Sequence, residues 1–187
     1  MKLLILVKHS LPEIVENVPA REWNLSEEGR RRVPILVEKL VQYQPGVIVS
    51  SVEPKAQQTA TILAESLGLK SQTFEGLHEH DRSNSPLSSK EEFQALVQKF
   101  FEKPSTLVFG NETADQAYVR FHQAVEAVLN LYRGKTVLIV AHGTVISLYV
   151  SRLTGIDGYD LWKNLGLPSF VLFDIESKAL LKIENIL

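Results

Sequence analysis

Leu3-Leu4-Ile5-Leu6-Val7-Lys8-His9-Ser10 and Val137-Leu138-Ile139-Val140-Ala141-His142-Gly143-Thr144 decide how this chain is read. Each is a short apolar run that ends in a histidine. Runs with no polar alternation read as strands buried on both faces, which predicts a mostly parallel sheet with helices above and below. In such sheets the ligand crevice lies beyond the carboxyl ends of the strands, where both histidines fall. If the strands are neighbours, the two imidazoles face one pocket.

The flanking sequence alternates strands and helices. Ser26 is placed to cap a helix running to about Tyr43, with Glu27 and Glu28 in its first turn. Pro34 is expected to kink or split that helix. After Pro45-Gly46, Val47-Ile48-Val49-Ser50 reads as a second buried strand, and Pro54 suits the first turn of a helix ending before Gly68. Ser71 to Phe74 reads as a short edge strand. From Glu75 to Ser89 the chain turns polar, with a Ser83-Asn84-Ser85-Pro86 cluster, and a loop of this length is usually functional. Helical spacing returns over Glu91–Glu102 and Glu112–Tyr132. Phe170–Phe173 and Leu180–Ile183 form a C-terminal antiparallel hairpin. The expected architecture is an α/β three-layer sandwich. Its 187 residues form one domain, with a variable loop or cap region around 75–110.

Composition narrows the classes of function. The net charge of −2 and the absence of any basic block beyond Arg30-Arg31-Arg32 argue against nucleic-acid and membrane-surface partners. With no cysteine, disulfides, thiolate catalysis and cysteine-bound metal are excluded. The N-terminal apolar run is too short for a signal peptide, so a cytoplasmic location is the expectation. The state of association is left open between monomer and homodimer, since edge strands can pair across a dimer.

His9 leaves its strand between Lys8 and Ser10, a cation and a hydroxyl suited to a tetrahedral anion. Alone, it reads equally as a hydrogen-bonded pocket histidine. Ser50-Ser51-Val52-Glu53-Pro54-Lys55 opens a helix whose free N–H groups favour an anion, with Lys55 adding charge; the plainer reading is a capped helix with a solvated lysine. Gly143 after His142 allows close backbone approach. Glu79 lies in His78-Glu79-His80-Asp81-Arg82, whose residues include competent metal ligands but lack a ligand motif on a helical framework. His122 reads as a helix-surface residue.

In order along the chain, these pieces resemble the histidine phosphatase superfamily, which includes phosphoglycerate mutases. Lys8-His9-Ser10 falls where the family has Arg-His-Gly, and Leu25-Ser26-Glu27-Glu28-Gly29 resembles its Leu-Thr-x-x-Gly helix start. Ser50-Ser51 through Lys55, Ala56, Thr59 and Ala60 resembles Ser-Ser-x-x-x-Arg-Ala-x-x-Thr-Ala. Leu77-His78-Glu79 matches the loop with the acidic residue, Gly110-Asn111-Glu112 with Arg120 resembles the Gly-Glu-Ser helix start, and Val140-Ala141-His142-Gly143 matches the second histidine segment. The resemblance implies a metal-independent phosphatase without cofactor, acting on a small phosphorylated substrate. In that reading His9 is the nucleophile and forms a phosphohistidine, Glu79 is the acid and base, and His142 is catalytic. Lys8, Ser10, Lys55 and Gly143 bind the phosphoryl group, and Arg21 and Arg82 are candidates for a second anionic group on the substrate.

The sequence departs from the pattern where the anion would sit. Both family arginines are lysines, Lys8 and Lys55, and the signature glycine is Ser10. Lysine keeps the charge but loses the planar two-pronged donor. The departures favour a slow enzyme or, as the alternative, a protein that binds a phosphorylated ligand in a regulatory role. A phosphoglycerate mutase ranks below both, because the chain has little sequence to form a cap.

Overall fold

The computed structural model describes residues 1–84 and 89–186; Ser85 and Pro86 of the expected loop cluster lie outside the described residues. Six strands form one sheet: β1 (Leu3–Lys8), β2 (Val47–Ser50), β3 (Ser71–Thr73), β4 (Val137–Ala141), β5 (Ser169–Asp174) and β6 (Leu180–Asn185). Their spatial order is β3-β2-β4-β1-β5-β6. β1, β2, β3 and β4 pair in parallel, while β5 runs antiparallel to both β1 and β6. The α/β sandwich with a C-terminal hairpin is therefore the observed fold.

Uniformly apolar strands are read correctly as two-sided because their alternate residues feed two different cores. Leu4, Leu6, Val137, Ile139 and Ala141 pack with Phe121, Val125 and Val128 of α4 (Ala114–Leu131) and with Val145 and Ile146 of α5 (Gly143–Thr154). Leu3, Ile5, Val7, Leu138 and Val140 face the opposite way, onto α1 (Glu27–Leu40) and α2 (Pro54–Leu67). Ile5, Leu6 and Leu138 are wholly buried, each contributing roughly 1.5–3 kcal/mol of transfer free energy.

The β1–β4 register aligns Lys8 with Ala141, so the residues that follow, His9 and His142, emerge side by side. The His9 N–H donates to the Ala141 carbonyl at 3.0 Å, extending the ladder one step past the strands. Two further helices complete the chain, α3 (Lys90–Glu102) and α6 (Gly158–Asn164).

Two local readings are refined. Pro34 does not split α1, which is continuous. It occupies an exposed position of that helix. His122 is half-buried, stacked on Tyr118 with ring centroids 5.5 Å apart and flanked by Tyr149.

Candidate active site

The exits of β1, β2 and β4 and the loop after β3 converge on one site. His9 and His142 lie with ring centroids 5.1 Å apart and planes inclined by 62°. His9 Nδ1 lies 2.7 Å from the Ser10 carbonyl, to which it can only donate. That bond fixes the tautomer and leaves Nε2 with its lone pair free. Burial, the neighbouring His142 and the charge of Lys55 push the His9 pKa well below the ordinary imidazole value. The lowered pKa favours the neutral ring, with its Nε2 lone pair available.

Ser10 is turned away from this space. Its N–H donates to Thr59 Oγ1 at 3.1 Å and its hydroxyl donates to the Gly29 carbonyl at 2.7 Å. The loop beyond it rests on the first turn of α1, where Ser26 caps Gly29 N. A Cβ at Gly29 would stand 2.0 Å from the Leu11 carbonyl oxygen, which is why the position is glycine.

Two lysines border the histidines. Lys8 Nζ donates to the Leu165 carbonyl at 2.7 Å and passes beside Gly143. Burial lowers its pKa to about 8, with Glu79 opposing the shift. Lys55 is 5% exposed and donates to the Ala20 carbonyl at 2.7 Å and to Glu53. Lys55 is therefore not the solvated side chain of the plainer reading.

Glu79 reaches the N-terminus of α5. Its carboxylate accepts from the N–H of Thr144 at 3.1 Å, of Val145 at 3.3 Å and of His80 at 2.9 Å. Burial pushes its pKa up, but the electrostatic interaction with the His142 ring, the charge of Arg82 and the backbone N–H donors outweigh it, so the net shift is downward. The loop bearing Glu79 is fixed by Arg120, which donates to the carbonyls of Gly76 and His78 at 2.8 Å and of Glu79 at 3.1 Å. Glu112 binds the same guanidinium and also accepts from the Asp81 N–H at 3.0 Å.

The polar loop separates its side chains. His80 is buried against Phe100 and Phe109. Among the described residues no group of three or more histidine, aspartate or glutamate side chains gathers as metal ligands do. Arg82 lies over the Phe93 ring, 4.6 Å from its centroid, and its charge is felt by Glu79 and His142. Arg21 is exposed, pairs with Glu22 and acts on Asp81, at the outer side of the loop.

Glu53 is the site residue that the sequence reading passed over. It is 6% exposed, binds Lys55, accepts the Glu79 N–H at 2.8 Å and lies 3.5 Å from His142 Nε2. That same nitrogen is 2.8 Å from the Ser51 hydroxyl. Its signal in the sequence was a carboxylate two residues before a lysine at the mouth of a helix, a spacing that also suits an ordinary helix cap.

Comparison with known proteins places the chain in a family and supports its fold. The model of the histidine phosphatase superfamily (branch 1) matches residues 4–180. A probable phosphoglycerate mutase of Yersinia pestis is 28% identical over 140 residues, covering 72% of this chain and 65% of the relative. The chain thus spans just under two thirds of that protein's length. Among solved structures, phosphoserine phosphatase of Entamoeba histolytica in complex with 3-phosphoglyceric acid superposes with a TM-score of 0.80 at 18% identity, over 99% of this chain and 98% of the other. Mycobacterial glucosyl-3-phosphoglycerate phosphatase complexed with VO3 gives 0.77 at 20% identity, over 99% and 98%.

Proposed function

Given that the chain belongs to the histidine phosphatase superfamily, we propose that it hydrolyses a small phosphomonoester through a phosphohistidine on His9. The observation that carries this reading is the His9 Nδ1 bond to the Ser10 carbonyl at 2.7 Å, which leaves Nε2 free beside His142. Nε2 attacks phosphorus, the N–P bond forms, and the bond to the ester oxygen breaks. Lys8, Lys55 and His142 stabilise the charge spread over the phosphoryl oxygens.

Glu79 gives its proton to the leaving alkoxide, then takes one from the water that hydrolyses the phosphohistidine. The α5 N–H groups favour its ionised form, so the first step draws on a minority of protonated carboxyl. Arg82, held over Phe93, is the proposed contact for a second anionic group on the substrate.

The test is hydrolysis of an aryl phosphate in EDTA, wild type beside His9→Ala. Activity that persists in EDTA and falls at least a thousandfold in H9A is expected. Undiminished activity in H9A overturns the nucleophile assignment.

One observation favours the second reading, a protein that binds a phosphorylated ligand with little turnover. The Lys55 ammonium is already matched by Glu53, so a phosphoryl group has less free cation there. Under that reading wild type and H9A are equally inactive while inorganic phosphate still binds.

A further inference from the structure

The charges around the two histidines do not match a phosphoryl dianion. With both imidazoles neutral and Glu79 ionised, Lys8, Lys55 and Arg82 supply three cations while Glu53 and Glu79 supply two carboxylates. A bound dianion leaves the buried site with a net charge of one minus. An uncompensated charge in such surroundings is expensive, and a titratable neighbour takes up a proton instead.

His142 is the group arranged to do so. It is wholly buried, and its Nδ1 has no hydrogen-bond partner. Its Nε2 faces the Ser51 hydroxyl at 2.8 Å and Glu53 Oε1 at 3.5 Å. An imidazolium here has an acceptor and a counter-ion on one nitrogen and an unengaged N–H donor on the other. The other groups acting on the ring are Lys55 from α2 and His78 and Arg82 from the loop, which oppose protonation, and Glu79, which favours it. His9 and Lys8 border it from the exit of β1.

Resting on the phosphoryl-site reading above, we infer that Glu53 is a positioning residue of this site, the counter-ion that lets His142 carry a proton when an anion is bound. It acts through His142 and through the Glu79 backbone, without touching the ligand. On binding, a proton from solvent goes to the His142 ring, and the Nε2 side is balanced by Glu53 while Nδ1–H donates to the anion. In the empty protein, burial and Lys55 hold His142 neutral.

Sulfate is the probe, because it stays dianionic throughout the range in which histidine titrates. The His142 ring nitrogens, assigned with His142→Asn, are followed by nitrogen NMR at pH 7 with and without saturating sulfate. In wild type both nitrogens are expected to move to imidazolium positions, and sulfate affinity to fall by up to tenfold per pH unit between about pH 6 and pH 7.5, below the titration of Lys8. In Glu53→Gln, which keeps an acceptor for the Glu79 N–H, His142 stays neutral in the complex and the pH dependence flattens. A neutral His142 in the wild-type complex overturns the inference even if E53Q proves unable to fold. So does an imidazolium that persists unchanged in E53Q. Absence of sulfate binding at any pH is the distinguishable result that removes the phosphoryl-site reading and this inference together.

Discussion

The Lys8 side chain occupies the space that a β-carbon on Gly143 would need: such an atom would stand 3.1 Å from Lys8 Cε and 3.4 Å from Nζ. Lys8 ends β1 and Gly143 lies two residues beyond its partner Ala141 at the end of β4, so the glycine at the start of α5 is what leaves room for the lysine side chain. Gly143→Ala should move the ammonium by a few tenths of an ångström while leaving the core intact. The expected result is a loss of about tenfold in kcat/KM, corresponding to about 1.4 kcal/mol of transition-state stabilisation. The urea midpoint should change by less than the equivalent of about 1 kcal/mol. Unchanged kcat/KM in G143A would remove Lys8 from the phosphoryl site.

The ammonium itself titrates within reach of experiment. Its pKa is lowered to about 8, so Lys8 is charged below that pH and loses its proton above it. The logarithm of kcat/KM should therefore steepen downward by one unit of slope above about pH 8. Lys8→Arg keeps the charge to far higher pH, and its profile should show no such break. A break at the same pH in K8R would assign it to another group.

What could be read from the sequence follows burial. β1 and β4 are legible because both faces of each strand are apolar, and the histidines are legible because they end those strands. α6 was not, since seven residues with Gly158 at the start carry too little periodicity to separate a helix from a loop. That Pro34 does not split α1 is not legible either, because the sequence does not say which face of that helix meets solvent. Glu53 was missed for a different reason: its role depends on Lys55, Glu79 and His142 at once, and only the fold brings the last two to it.

The Arg120–Glu112 pair yields a prediction about the loop rather than the chemistry. Arg120 ties three successive stretches of carbonyl, at Gly76, His78 and Glu79, and its charge is balanced by Glu112. Arg120→Ala leaves those carbonyls without this donor and the part-buried Glu112 carboxylate without its counter-ion. The expected cost is about 2–4 kcal/mol of stability. Because Glu79 is carried on that loop, kcat should fall at least tenfold while KM changes less. A variant with full stability and a normal kcat would show that the loop holds Glu79 without the clamp.

Stability should also depend on pH through the buried imidazoles. His9, His78, His80 and His142 all have pKa values below the ordinary 6.5, chiefly because burial disfavours their charged forms. Below pH 6.5 the unfolded chain therefore binds protons that the folded chain does not. The unfolding free energy must then decrease as the pH falls, by roughly 1.4 kcal/mol per pH unit for each histidine that differs. Glu79 adds to this slope only as the pH nears 4.5, where the unfolded carboxylate begins to protonate while the folded one, its pKa shifted downward, does not. Urea titrations between pH 7.5 and pH 5 measure the slope directly. His9→Asn, which puts a neutral group in the same place, should reduce it by close to one proton's worth. A flat profile over that interval, or a slope that H9N leaves unchanged, would mean that the nucleophile's ring is not kept neutral by burial.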